Sequence, residues 1–207
     1  LVHTWAQLAA HMSLESLVIL GDAILTAIAR KPGLANGRTA DGIYQDFVRQ
    51  VTGLPKFNAK SKCMIALAFI TPRVDSPMES KTRIATTKYG LPPAVTNYTV
   101  PGATFSNGAP ITLDLAWPEF RVAIEYDGDH HRTDKNQWRR DNDKRELLRH
   151  HHWIVIIATA TNMADEPSQA ELAYRVGRQL ALRGAVFDFT LTATPLDEIA
   201  RRRRRRI

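Results

Sequence analysis

One cysteine, Cys63, in 207 residues leaves nothing for a disulfide to join within the chain. A small secreted scaffold stapled by disulfides is excluded, and a reducing cytoplasm fits. Long apolar runs are equally scarce. The richest, from Cys63 to Ile70, is too short to cross a bilayer, so Cys63 reads as a core residue and no membrane partner is expected. No signal peptide is visible, and the chain begins on Leu1, which reads as a fragment of something longer. Repeats are missing. The one low-complexity stretch is the run Arg201 to Arg206, which supplies six of the seven net positive charges and leaves the rest almost neutral. Such a run is a solvated tail by default, or a source of salt-sensitive attraction to phosphate. No spacing of the helix-turn-helix or zinc-finger kind is present.

What the chain has is enough apolar material, 44%, for a proper core in one large domain or two small ones. Its first seventy or so residues read as helical. Leu14, Leu17, Val18, Leu20, Leu25 and Ile28 give an apolar face over 13–30, and 41–51 and 58–70 follow after a loop at 32–37. From Ser76 the pattern changes to helix, strands, hairpin, helix, strand and helix. Ser76, Pro77 and Glu79 make a good helix start, with Ser as N-cap and Glu at N3. Residues 97–100 read as a short strand. Trp153 to Ala158 is a continuous apolar run, as expected of a central strand buried on both faces. A helix over 168–183 ends at Gly184. The expected organisation is a helical segment over 1–72, an α/β domain over 73–195 and a basic tail over 196–207.

The densest chemistry lies between Asp114 and His131. Alternation puts Asp114 and Ala116 on one face of a strand, and Arg121, Ala123, Glu125 and Asp127 on the same face of the next. A two-residue turn at Pro118-Glu119 would set Asp114 opposite Ala123. Glu125 is then its diagonal neighbour, roughly 7–8 Å away. Two carboxylates so placed can lean onto one hard divalent ion such as Mg²⁺ or Mn²⁺. Without a cation they would repel and raise each other's pKa. The bland alternative is an exposed acidic hairpin face with Arg121 pairing one of the acids. Arg132 to Arg149 carries seven basic residues against four acids, next to this face, where a phosphate backbone would lie. The structural alternative there is a helix with ordinary pairs such as Asp141 with Arg145. His150, His151 and His152 are consecutive, so their side chains diverge and zinc is disfavoured.

At these residues the chain resembles a known family. The run from Asp114 to Pro118, then Val122 to Gly128 with His131, looks like a bacterial domain of unknown function related to the very-short-patch-repair mismatch endonuclease. Both are similar to the PD-(D/E)XK nucleases. Gln137, Trp138, Arg139, Arg140 and Asp141, then Arg145, Leu147, Leu148 and 153–156, resemble the helix and strand that follow the hairpin there. The resemblance covers about 76–161. Around Thr4 to Ala9 and Gly21 to Leu25 the chain also looks like the linker region that follows an AbiEi-type antitoxin domain.

The resemblance implies a restriction-endonuclease-like core, a mixed sheet flanked by helices, behind the helical segment. It implies a Mg²⁺-dependent deoxyribonuclease acting on DNA. Asp114, Glu125, Asp127 and a helical Glu79 would serve the metal, and His131 would be the base, since imidazole titrates near neutrality. Gln137 and Asp141 share a helix face near that histidine. Asp141 would orient it, while Gln137, Arg132, Lys135, Arg139 and Arg140 would meet DNA. A homodimer would suit cutting both strands. The chain departs from the family where Glu-X-Lys is usual, since Asp127 holds the Lys position. That departure keeps open a second class, an inactive, antitoxin-like regulator whose nuclease fold only grips nucleic acid.

Overall fold

The computed structural model describes residues 1–128 and 135–204, with side chains outside 135–141 and 204. It divides into two compact units, Leu1–Ile84 with Thr194–Ile207, and Ala85–Ala193.

The first unit is helical. It comprises α1 (Val2–Leu8), α2 (Leu14–Ala29), the short α3 (Pro32–Ala35), α4 (Ala40–Gly53), α5 (Lys60–Leu67), the start of α6 (Pro77–Lys88) and, from the far end of the chain, α9 (Leu196–Arg204). Helix starts are capped as the residue types dictate. Ser13 Oγ accepts from Ser16 N, Thr39 Oγ1 from Gly42 N and Ser76 Oγ from Glu79 N. The core gathers Trp5, Leu17, Leu25, Phe47, Val51 and Cys63, all almost wholly buried. Trp5 Nε1 donates to Leu17 O at 3.0 Å, so even its polar edge is satisfied. Burial pushes the Cys63 thiol up, as for an inert core cysteine.

Two expectations change here. Within 32–37, Pro32–Ala35 form a single helical turn capped by left-handed Asn36 rather than a plain loop. The expected basic tail over 196–207 is instead a helix through Arg204. Leu196 and Ala200 lie in the first unit's core with Ile199 against them, and Arg203 lies over the Phe69 ring at 5.1 Å. Their i, i+3, i+4 spacing gives the helix one apolar stripe.

The second unit is a four-stranded mixed sheet with helices. Its strands are β1 (Val95–Thr104), β2 (Pro110–Trp117), β3 (Val122–Tyr126) and β4 (Ile154–Ala158), in that order across the sheet. β1, β2 and β3 run antiparallel, and β4 is parallel to β3. Helix α7 (Lys135–His150) supplies the crossover between the two parallel strands, as a parallel pair requires. Helix α8 (Glu166–Leu182) buries Leu172, Ala173, Val176 and Leu180. β1 is more than twice the expected 97–100. β4 is an edge rather than a central strand among the described residues, with Ile156 and Ala158 buried but Ile154, Val155 and Ile157 only half-buried.

Gly90 holds the chain's return against this unit. Its φ is +85°, and a Cβ there would stand 2.1 Å from Asp188 O. Alongside, Thr190 N donates to Tyr89 O at 3.1 Å and the Tyr89 ring stacks on Phe189. Gly90→Ala therefore combines left-handed strain with a backbone clash and should cost about 2 kcal/mol or more. Urea denaturation followed by circular dichroism measures this. An unchanged midpoint would mean that 188–190 is not held against Gly90.

Candidate metal and phosphate site

The β2–β3 turn decides the geometry. Trp117 pairs with Val122, so four residues, not two, make the connection. Pro118–Phe120 form a tight helical turn, and Arg121 closes it at φ 49°, ψ 43°, its N–H donating to Pro118 O. Arg183 Nη1 donates to Phe120 O at 3.0 Å and His152 O at 2.9 Å, which fixes the turn from α8's end. The register therefore moves by two residues from the expected one. Leu115 faces Ile124 and Ala116 faces Ala123, so Asp114 stands directly opposite Glu125 rather than Ala123. A two-residue shift keeps every side chain on its face, so the carboxylates stay together and come closer.

Both are held by the backbone. Tyr126 N donates to Asp114 Oδ2 at 2.8 Å, and Asp114 N donates to Glu125 Oε1 at 3.3 Å. The surprise is the third partner. Lys144, from the middle of α7, reaches Glu125 Oε2 at 2.5 Å, with both side chains about four-fifths buried. Lys144 stands one turn before Leu148, which is 1% exposed, so it shares the helix face that packs on the sheet. Lys144 thus brings a cation from a helix to the carboxylate pair. The sequence carried a signal for it, a lysine four residues before the inward Leu148, but the run of basic neighbours hid it.

Charge follows burial. Burial pushes the Glu125 carboxyl up to about 7, and the Asp114 charge adds to this. Lys144 pulls it back by charge and hydrogen bond. When Glu125 is ionised the site carries a surplus of negative charge in a low-dielectric place, where a further cation is favoured. A cavity of about 250 Å³ opens beside it, lined by Asp114, Glu125, Asp127, Lys144 and Arg145 among others. Among the described residues no group of three or more His, Cys, Asp or Glu side chains could hold an ion alone. Two carboxylates still suit Mg²⁺, which keeps several waters and takes the rest of its shell from substrate phosphate.

The remaining expected residues fall in three groups. Asp127 lines the cavity, and its N–H donates to Ala158 O. Glu79 lies in the first unit, buried at the start of α6, where Oε2 accepts from Asp75 N at 2.9 Å while its own N–H donates to Ser76 Oγ. That is the capping role its position suggests. His131 and Arg132 lie outside the described residues. Lys135, Gln137, Arg139, Arg140 and Asp141 belong to the first turns of α7, and their side chains lie outside the described set. Among the described residues no helix is long and apolar enough to cross a membrane.

Comparison with known proteins adds little chemistry. No family model matches the chain, and no solved structure matches it significantly. The chain is 29% identical over 114 residues to the uncharacterized proteins MT2308 and Rv2248 of two Mycobacterium tuberculosis strains, a match that covers 55% of this chain. The matched part is 40% of those relatives' own length, so similarity reaches less than half of each.

Proposed function

We propose that the chain is a metal-dependent DNA endonuclease of the PD-(D/E)XK type that hydrolyses phosphodiester bonds at Asp114, Glu125 and Lys144. The observation that carries this reading is the opposed carboxylate pair with a buried lysine on it. Asp114 and Glu125 would hold Mg²⁺ or Mn²⁺, with Asp127 assisting. When bound, the ion polarises the scissile phosphate and lowers the pKa of water. Asp114 is kept oriented by Tyr126 N, and Glu125 by Asp114 N and Lys144. Lys144 Nζ, anchored on Glu125, offers its other protons to the attacking water or to a phosphate oxygen. His131 takes a proton from that water and Asp141 orients it, as the family resemblance implies.

The test is nicking of supercoiled plasmid with Mg²⁺ or Mn²⁺ against EDTA. Wild type should nick only with metal. Lys144→Met should lower the rate by about 10²-fold, the ordinary contribution of a positioned proton-transfer or charge-stabilising group. Full activity in Lys144→Met would remove the lysine from the mechanism. Metal-independent DNA binding without nicking would favour the second reading, a regulator whose Glu125 is simply neutralised by Lys144.

A further inference from the structure

We propose that Arg145 and Arg149 form a phosphate track that leads one DNA strand away from the carboxylate pair along the open edge of the sheet. It rests on the nuclease reading and extends it to how the substrate lies. The cavity at Asp114 and Glu125 continues into a second, of about 170 Å³, lined by Arg145, Arg149, Trp153, Val155 and Ile157. Arg145, Val155 and Ile157 line both, so one cleft runs into the next. Arg149 also lines a larger groove, of about 840 Å³, at the tip of the β1–β2 hairpin, so the way out is open.

Charge in the cleft changes sign along its length. Within these two clefts acids stand only at the carboxylate end and the two arginines line the rest, while Asp143 and Glu146 line the outer groove together with Arg149. Both arginines are exposed. None of the ion pairs among the described residues includes either arginine. Four residues of helix place them about 6 Å apart along α7, a step similar to that between successive phosphates of one strand. Guanidinium forks suit phosphate oxygens, which accept two parallel hydrogen bonds. A strand seated there puts one phosphate at the carboxylates and Lys144 and the next ones on Arg145 and Arg149.

A purely structural role is the competing explanation. Arginine stems across half-buried Val155 and Ile157 would shield an edge strand without any ligand. Charge and stem can be separated by Arg145→Gln with Arg149→Gln, which keeps most of the stem, and by the double Lys variant, which keeps the charge. Binding of fluorescent single-stranded and duplex oligonucleotides is followed by anisotropy over a salt series, in EDTA, with the full chain. The Gln pair should weaken binding at least tenfold, and the slope of log affinity against log salt should fall by about 1.5. The Lys pair should keep most of that slope. Loss on single strands alone identifies a free end or flap; equal loss on both identifies one strand of a duplex. Unchanged affinity and slope in the Gln pair overturns the track, even if wild type nicks plasmid. Equal weakening in the Gln and Lys pairs overturns it too, since charge is then not what binds. Weakening in the Gln pair alone, with no nicking by wild type, keeps the track and removes the nuclease reading.

Discussion

Glu125→Gln is expected to reduce metal-dependent nicking by at least ~10³-fold while leaving the protein more stable above neutral pH. The first half follows from the proposed role. Removing one of two carboxylates that hold the ion forfeits several kcal/mol of charge stabilisation, and each 1.4 kcal/mol is tenfold in rate. The second half follows from burial. Glu125 keeps its proton to about pH 7 in the folded chain, whereas its ordinary value is 4.5. Between those values the unfolded chain has released a proton that the fold retains, so the unfolded state binds fewer protons and stability falls as pH rises. The contribution is fully present below 4.5 and is lost by the time pH passes about 7. Glutamine does not ionise, so thermal melts of Glu125→Gln should flatten across this window and exceed wild type at pH 8. Mg²⁺ should raise the wild-type melting temperature at pH 8 and leave that of the variant nearly unchanged. Nicking at the wild-type rate by Glu125→Gln would sink the site assignment. A variant that melts below wild type at pH 8 would mean that the pair with Lys144 outweighs the burial of Glu125.

The residues explain why part of this was legible in advance. Strand alternation has a period of two, so an error of two residues in the turn left Asp114, Ala123, Glu125 and Asp127 on their common face. Direct opposition of Asp114 and Glu125 was not legible. It depends on left-handed Arg121 and on Arg183, 63 residues from the Phe120 carbonyl it holds. Lys144 needed knowledge that Leu148 points inward, which a helix with seven basic residues nearby does not advertise. β4 reads as a central strand because the six residues from Trp153 to Ala158 are all apolar, yet nothing in that run says how many strands lie beyond it. At the C-terminus, charge masked pattern. Six arginines read as a tail, while Leu196, Ile199 and Ala200 carry a helical stripe short enough to be overlooked.

In the first unit the largest loss of stability is expected from Asp22→Ala, about 3–5 kcal/mol. Asp22 is 1% exposed and ties three segments together. Its Oδ1 accepts from Thr71 N at 2.8 Å, and its Oδ2 accepts from Ser80 Oγ and from Arg83 Nη2, each at 2.7 Å. Burial pushes the Asp22 carboxyl up, while Arg83, Thr71 and Ser80 pull it down. The carboxylate is thus kept in the core by partners rather than by water. Alanine removes it and takes the Asp22 charge away from the Arg83 guanidinium, 11% exposed. Removing both charges is a different experiment. Asp22→Leu with Arg83→Met removes both charges of the pair, and such replacements are often near neutral because desolvation of the pair is saved as well. The double variant should therefore recover more than half of what Asp22→Ala loses in urea denaturation. Additive losses would mean that the two side chains act separately, through packing. Strong recovery would mean that the cost of Asp22→Ala lies in the buried Arg83 charge that Asp22 no longer compensates. In that case α2 and α6 are joined by charge compensation, and an aspartate inside an apolar helix face is explained without any catalytic role.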